Sequence, residues 1–326
     1  MLHGLPCTPA VNMGFFSDYA DAIMDAGASS VKTVLIDFHT HTTASDGALS
    51  PRDLVALAAE RKVGMLAITD HDTVVGYLAA ARVLEAEHPG AEALQLIPGV
   101  EFSCRWSGTT IHILGLGMDC EHSAMREGLE LLNTARIERG KKIAQRLEAL
   151  GFSGALEGAL TEAGSSQLGR PHFSSWMVAR GHVADHNQAF DKYLGQGKTG
   201  DVKAFWPELA RVVQWIVAAG GAAVIAHPLK YKFTRMKLRR LVVDFMAAGG
   251  QGIEIASGHQ TADQNAQLKR LATEFALEVS VGSDYHRDGP YSPQPGVQLP
   301  DLDGLRGVWE RWSRVAGSSA VGGAAS

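Results

Sequence analysis

From Thr33 onward, short β-branched and apolar runs alternate with stretches whose apolar positions recur at helical spacing, the pattern of parallel strands joined by crossover helices. Seven runs read as strands: Val34–Phe38, Met65–Thr69, Gln95–Val100, Thr110–Leu116, Ala222–Ala226, Gly252–Ala256 and Glu278–Gly282. Ser50 reads as an N-cap with Pro51 at the first helical position, and Leu54, Leu57 and Ala58 give that helix a buried stripe before it stops near Lys62–Gly64. Further helices are expected over Val75–Glu87, Glu208–Ala219, Leu238–Ala248, Gln264–Leu277 and Leu302–Val315, with Gly220-Gly221 and Gly249-Gly250 as stops.

Between Cys120 and Pro207 the rhythm breaks into helical segments, Ser123–Leu150, Ala155–Ala163 and Arg170–Arg180, with no strand pattern. The expected architecture is an α/β barrel over 33–119 and 208–316, carrying an α-helical insertion over 120–207. Residues 1–32 read as an N-terminal extension with one helical piece, Tyr19–Asp25, and the small, polar stretch 317–326 as a flexible tail.

Composition narrows the class without naming the chemistry. The chain has 326 residues, 45% of them hydrophobic, enough for a large core. A formal charge of −5 argues against a broadly basic surface, so nucleic-acid contact is expected to be local. Cys7, Cys104 and Cys120 form neither a disulfide framework nor a thiolate metal site, which points to the reducing cytoplasm. No export signal or membrane span is expected, and no protein partner is indicated.

The strand ends carry the chemistry. His39-Thr40-His41 follows the first strand, where alternation turns both imidazoles to one face, and Asp46 comes five residues later. The second strand runs into Thr69-Asp70-His71-Asp72, the third into Gly99-Val100-Glu101, and the fourth contains His112. The later ones end in Ala226-His227-Pro228 and Gly282-Ser283-Asp284-Tyr285-His286. A lone histidine is more often a satisfied structural residue than a ligand, but nine metal-competent residues converging on one barrel rim point to a metal site. Imidazole and carboxylate ligands without thiolate suit manganese, zinc or iron. Two ions about 3.5–4 Å apart clamp the attacking and leaving oxygens of an in-line phosphoryl displacement, so no protein nucleophile is required. Asp37 and Asp72, beside ligands, are expected either to orient imidazoles as acceptors or to be solvent-exposed turn residues.

Asp-Phe-His-Thr-His with Ser-Asp-Gly, Ile-Thr-Asp-His-Asp, Gly-Val-Glu, Ile-His-Ile, Ala-His-Pro and Gly-Ser-Asp-Tyr-His together resemble the motifs of the polymerase and histidinol phosphatase (PHP) family, from about Val34 to His286. The resemblance implies a distorted seven-stranded (β/α) barrel and a trinuclear centre, with manganese first among the metals. It also implies an ion assignment: His39, His41, Glu101 and Asp284 on one ion, Asp46, His71 and His286 on a second, and Glu101, His112 and His227 on a third.

For substrate, Arg170 and His172 of Gly-Arg-Pro-His and Lys230-Tyr231 are the candidate phosphate contacts, with Ser257, His259 and Arg287 on the rim. Arg170 also reads as a solvated helix start, and Phe173 and Trp176 as packing residues more than as base-stacking ones. Within the family these segments look most like the small nucleotide phosphoesterases, in which the residue before the tyrosine is usually arginine; Lys230 departs from that. The resemblance implies a phosphomonoesterase that removes the 3′-phosphate of nucleoside 3′,5′-bisphosphates by metal-activated hydroxide. Alternatives are a 5′-3′ exoribonuclease on short RNA and a histidinol-phosphate phosphatase. An amidohydrolase is disfavoured because no strand-end lysine can bridge ions, and a non-catalytic scaffold because no ligand is missing.

Overall fold

The computed structural model describes residues 35–87, 94–202 and 206–313. The expected Tyr19–Asp25 helix, the N-terminal extension and the tail lie outside the described residues. Eight strands form one sheet in the order β7-β6-β5-β4-β3-β2-β1-β8. They are β1 (Leu35–Asp37), β2 (Val63–Ile68), β3 (Gln95–Trp106), β4 (Thr109–Leu116), β5 (Ala222–Ile225), β6 (Gly252–Ser257), β7 (Glu278–Gly282) and β8 (Val297–Gln298). The second side of β1 is shared: β8 pairs with Leu35 and Ile36, whereas the Phe38 amide donates to Val281 O at 3.1 Å and Thr40 bridges Tyr285. That junction brings the sheet nearly round into the expected barrel.

Two features correct the sequence reading. The seven expected strands are joined by an eighth, β8. And β4 runs antiparallel to both β3 and β5, because β3 continues past Glu101 to Trp106 and turns back through a two-residue hairpin. Its turn residues, Ser107 and Gly108, both have positive φ (46° and 73°), the backbone twist that two-residue hairpins favour. Glu101 therefore lies within a strand, not at a strand end, and His112 lies within β4 as expected.

Helices α1 (Pro51–Glu60) and α2 (Val75–Glu87) match the pattern; the Ser50 side chain accepts from the Asp53 amide at 3.2 Å, and Pro51 opens the helix as expected. After β4 come α3 (Ser123–Glu148), α4 (Ala155–Ala163), α5 (Arg170–Ala179) and α6 (His186–Ala189), the last running into a π-helical turn, Phe190–Leu194. Then α7 (Leu209–Ala218), α8 (Arg235–Ala247) and α9 (Ala262–Phe275) alternate with the remaining strands. Of the expected helix over Leu302–Val315, the described part, up to Ser313, is helical only over α10 (Glu310–Ser313). Asp303 and Gly304 take left-handed backbone and Gly307 bridges Val279, so the chain before it is committed to the sheet.

The main apolar core lies between the barrel strands and the helices around them. A second cluster, with Phe173, Trp176 and Met177 fully or almost fully buried, is built from the C-terminal part of α3 with α4, α5 and α6. Phe173 and Trp176 are thus packing residues; Trp176 lies against Gly158 of α4.

Candidate metal centre

Backbone pairing at the junction of β1 and β7 sets the first ligands. The His41 amide donates to Tyr285 O (2.9 Å) and the Asp284 amide to His39 O (2.8 Å), placing His39, His41, Asp284 and His286 on one patch. Between the two histidines Thr40 faces the other way and donates to Ala67 O at 2.8 Å, as strand alternation requires. Gly282 permits this approach: a Cβ there would meet the His39 Cβ at 2.3 Å.

All nine sequence-nominated residues meet here, around Glu101. Glu101 Oε1 lies 2.8 Å from His112 Nδ1 and 2.9 Å from His227 Nε2. Its Oε2 lies 3.0 Å from His71 Nδ1 and 3.3 Å from Nε2 of both His39 and His41. Asp284 Oδ1 faces His39, His41 and His286 at 3.4–3.5 Å. Asp46 faces His286 at 3.4 Å, His71 at 3.8 Å and His41 at 3.9 Å. Four sets have ligand atoms close enough to share an ion: His41, Asp46, His71 and His286; His39, His41 and Glu101; His39, His227 and Asp284; and His71, Glu101 and His112.

Hydrogen bonding alone does not satisfy the cluster. His39 Nε2, His41 Nδ1 and Nε2, His71 Nδ1, His227 Nδ1 and Glu101 Oε2 are buried and make no geometrically sound hydrogen bond among the described residues. Leaving so many buried polar atoms without partners is costly, and imidazole nitrogens with carboxylate oxygens are the donor set that divalent cations take up. The residues present therefore fit the metal ions that the resemblance implies.

Electrostatics point the same way. Burial would lift the Glu101 carboxyl, but His112, His71 and His39 hold it well below the usual carboxylate range. Asp46 and Asp284 are likewise held down against burial, the first chiefly by His71 and His286, the second by His39, His41 and Lys230. Burial opposes charge on His41, yet the facing carboxylates of Asp284 and Glu101 push it up to about 10. Burial pulls His71 and His227 down. The carboxylates draw positive charge inward, and protons and metal ions compete for the same ring nitrogens.

Three supporting residues were not singled out by the sequence pattern. Glu254 of β6 is fully buried, taking His39 Nδ1 on Oε1 at 2.9 Å and the His227 amide on Oε2 at 2.5 Å. A carboxylate only accepts here, so His39 carries its proton on Nδ1 and turns Nε2 into the centre. The signal was a glutamate inside an otherwise apolar strand. Asp70 accepts from the Thr42 amide (2.7 Å), the Thr42 hydroxyl (2.6 Å) and the Ser45 hydroxyl (2.6 Å), shaping the loop that carries Asp46. Arg136 of α3 pairs with Asp72 at 2.6 Å.

Neither Asp37 nor Asp72 bonds an imidazole directly, and neither is a solvent-exposed turn residue: both are fully buried. Asp37 accepts from the backbone amides of His39 (3.2 Å), Ser283 (2.9 Å) and Gly296 (2.8 Å), and Asp72 from the Ser103 amide (2.6 Å) and Arg136. Asp72, His227 and Asp284 all have left-handed φ (54°, 29° and 57°), a local strain of about 1–3 kcal/mol each that surrounding bonds must hold.

The nominated substrate residues divide. Lys230 pairs with Asp284 and, with Ser257 and His259, lines a cavity of about 340 Å³ that also touches Gln260, Gln264 and Asp284. Arg287 is exposed beside the centre and donates to Asp46 O at 3.1 Å. His172 is buried next to the Asp46 loop, its Nδ1 accepting from the Gly169 amide at 3.0 Å. Tyr231 is turned to the backbone instead: its hydroxyl accepts from the His112 amide at 2.8 Å and donates to Ala226 O at 3.0 Å. Arg170 also departs from the expectation, donating to Leu194 O at 3.1 Å with its guanidinium over Phe190. Burial opposes its charge. A larger, shallow recess of about 560 Å³ beside Leu156 and Leu160 includes no residue of the cluster.

Comparison with known proteins agrees with this geometry. Residues 37–168 match the PHP domain model. A 5′-3′ exoribonuclease of Haemophilus influenzae is 42% identical over 277 residues, 85% of this chain and 98% of that protein. A 3′,5′-nucleoside bisphosphate phosphatase of Chromobacterium violaceum is 40% identical over 277 residues, 84% and 95% of the two chains. Among solved structures, a C. violaceum protein described as an amidohydrolase, with bound sulfate and no metal, superposes with a TM-score of 0.76 at 38% identity, covering 85% of this chain and 95% of that one. With nine ligand-competent residues around Glu101 and relatives matched over nearly their whole length, the chain belongs to the PHP family and is a metal-dependent phosphoric ester hydrolase.

Proposed function

We propose that this enzyme is a nucleotide phosphomonoesterase that removes the 3′-phosphate of nucleoside 3′,5′-bisphosphates, working with three divalent ions, manganese first. The observation that carries this reading is the cavity of about 340 Å³ opening at Asp284, beside the ligand cluster. Small-ligand sites run from about 300 to 1,000 Å³. Its lining mixes apolar surface with polar groups that suit a nucleoside: the buried Ser257 hydroxyl has no hydrogen-bond partner among the described residues, and Gln260 and Gln264 offer NH₂ groups while their oxygens accept from the Ser257 and Thr261 amides.

His39, His41, Asp46, His71, Glu101, His112, His227, Asp284 and His286 hold the ions, Glu101 bridging. Divalent ions there supply the Lewis-acid charge that polarises phosphoryl oxygens and activates water. Lys230 places an ammonium at Asp284, where it neutralises phosphate oxygens, and Arg287 adds a second cation at the Asp46 edge. Residues 120–207 act as an insertion whose 166–172 stretch walls the site through His172. The buried thiols Cys104 and Cys120, in no disulfide among the described residues, suit the cytoplasm.

The H. influenzae relative favours a second reading, 5′-3′ exoribonuclease action on short RNA. Manganese-loaded protein assayed with adenosine 3′,5′-bisphosphate, adenosine monophosphate, histidinol phosphate and a 5′-phosphorylated short RNA separates these. Rapid phosphate release from the bisphosphate, lost in Asp284→Ala, is expected. Nucleotides released stepwise from the RNA, with the bisphosphate untouched, would replace the first reading with the second.

A further inference from the structure

We propose that Arg136 is a positioning residue for the ion group His41, Asp46, His71 and His286, acting from the insertion through Asp72 and Leu168. The inference rests on the cluster being a metal centre.

Arg136 is 6% exposed, and its guanidinium spans two chain segments. Nε lies 2.7 Å from Asp72 Oδ2, one of the other guanidinium nitrogens contacts the same oxygen at 2.6 Å, and the remaining one donates to Leu168 O at 3.3 Å. The indole of Trp206 lies 5.5 Å away and helps hold the group.

Each segment fixes a ligand. Asp72 follows His71 and ties the end of β2 across β3: its amide donates to Glu101 O at 3.0 Å and its Oδ1 accepts from the Ser103 amide at 2.6 Å. With φ at 54°, this turn needs such bonds to persist, and it sets where the His71 ring meets Glu101. On the other side, Leu168 follows Ser166 and Gln167. The Gln167 amide donates to Ala44 O at 3.0 Å and the Ser166 hydroxyl bonds Thr43 O, so this stretch docks on the loop that presents Asp46. Arg136 therefore couples the placement of His71 to that of Asp46, whose Oδ2 is 3.8 Å from His71 Nε2. A planar fork can serve both segments; a lysine ammonium, as a point donor, serves one.

The test compares wild type, Arg136→Met, Arg136→Lys and Arg139→Met, the last as control because Arg139 also stacks on Trp206 but bonds Val202 O and not Asp72. Ions per chain are counted by mass spectrometry, and affinities are read by titration against a chromophoric chelator. In Arg136→Met one class of ion is expected to weaken at least about tenfold while the others stay, the usual scale for a lost outer partner of a metal ligand. Arg136→Lys, which keeps the charge and guards against a Met variant that fails to fold, is expected to weaken the same class less. kcat should follow the lost ion with KM little changed, and Arg139→Met should keep all its ions. Wild-type affinities in the Lys variant and in a folded Met variant, or an equal loss in Arg139→Met, would overturn the inference. A wild-type chain that binds no divalent ion would overturn the metal-centre reading itself.

Discussion

Glu254→Gln tests the tautomer argument at the centre of the site. Glu254 has two oxygens and two donors to satisfy, His39 Nδ1 at 2.9 Å and the His227 amide at 2.5 Å. Glutamine keeps the shape but has one oxygen. If that oxygen stays on the His227 amide, its NH₂ faces His39 Nδ1, which must then accept. The ring proton moves to Nε2, the atom that faces Glu101 at 3.3 Å and Asp284 at 3.4 Å, and the lone pair needed for an ion is gone. If the amide flips, two donors face each other at His227, leaving a buried group unsatisfied at about 1–3 kcal/mol. Either way the expected loss of metal affinity is about 10–100-fold, equivalent to about 1.4–2.8 kcal/mol. Competition with a fluorescent chelator reads it directly, and circular dichroism checks that the barrel is intact. A folded Gln variant with wild-type affinity would refute the assignment of His39 Nδ1–H to Glu254.

Four further outcomes are expected. Removing the ions with EDTA should lower the thermal midpoint: at free metal about 1,000 times Kd the stabilisation is about 4 kcal/mol, or roughly 6 °C for a chain of 326 residues; an unchanged midpoint in calorimetry would argue against a resident metal. Tyr231→Phe should cost about 1–2 kcal/mol through its bonds to His112 and Ala226 while leaving KM alone; a selective rise in KM would show that the hydroxyl reaches substrate. Gly128→Ala should destabilise by about 1–3 kcal/mol despite the better helix propensity of alanine, since its Cβ would meet the Trp215 ring at 2.6 Å; urea midpoints decide. Burial, helped by Asp72 and Glu208, pushes the Cys104 thiol well above its ordinary range, so iodoacetamide should label Cys104 only in denaturant, even at pH 9; fast native labelling would mean that β3 is open.

Local signals made the ligands legible. His39, His41, His71, His227, Asp284 and His286 each stand just past an apolar run, where a parallel α/β barrel gathers its chemistry, so strand pattern and ligand type supported each other. Glu101 was found for the right chemistry but with the wrong local geometry, because β3 was ended too early; His112 was placed within its strand, whose antiparallel direction was missed. The Ser107-Gly108 pair between Trp106 and Thr109 was the available hairpin signal. β8 has only two residues, too short for any periodicity. At Arg170 the sequence shows a basic residue at a helix start, which reads the same whether it faces solvent or phosphate, and its bond to a backbone carbonyl 24 positions away has no local signal.

The supporting residues were hidden for a different reason. Arg136 sits 64 positions from Asp72, and Glu254 lies 215 from His39, so neither pairing has a sequence period to betray it. What can be read is the anomaly each creates. A glutamate in the buried strand Gly252–Ser257 must find donors, since burying it unpaired costs more than the strand gains. The same argument applies to Asp37 beside the ligands, whose donors are three backbone amides, one of them on His39. Strand-end residues thus reveal which atoms gather at the centre, while charged residues buried in the adjoining strands and in α3 mark what holds those atoms at the required orientation.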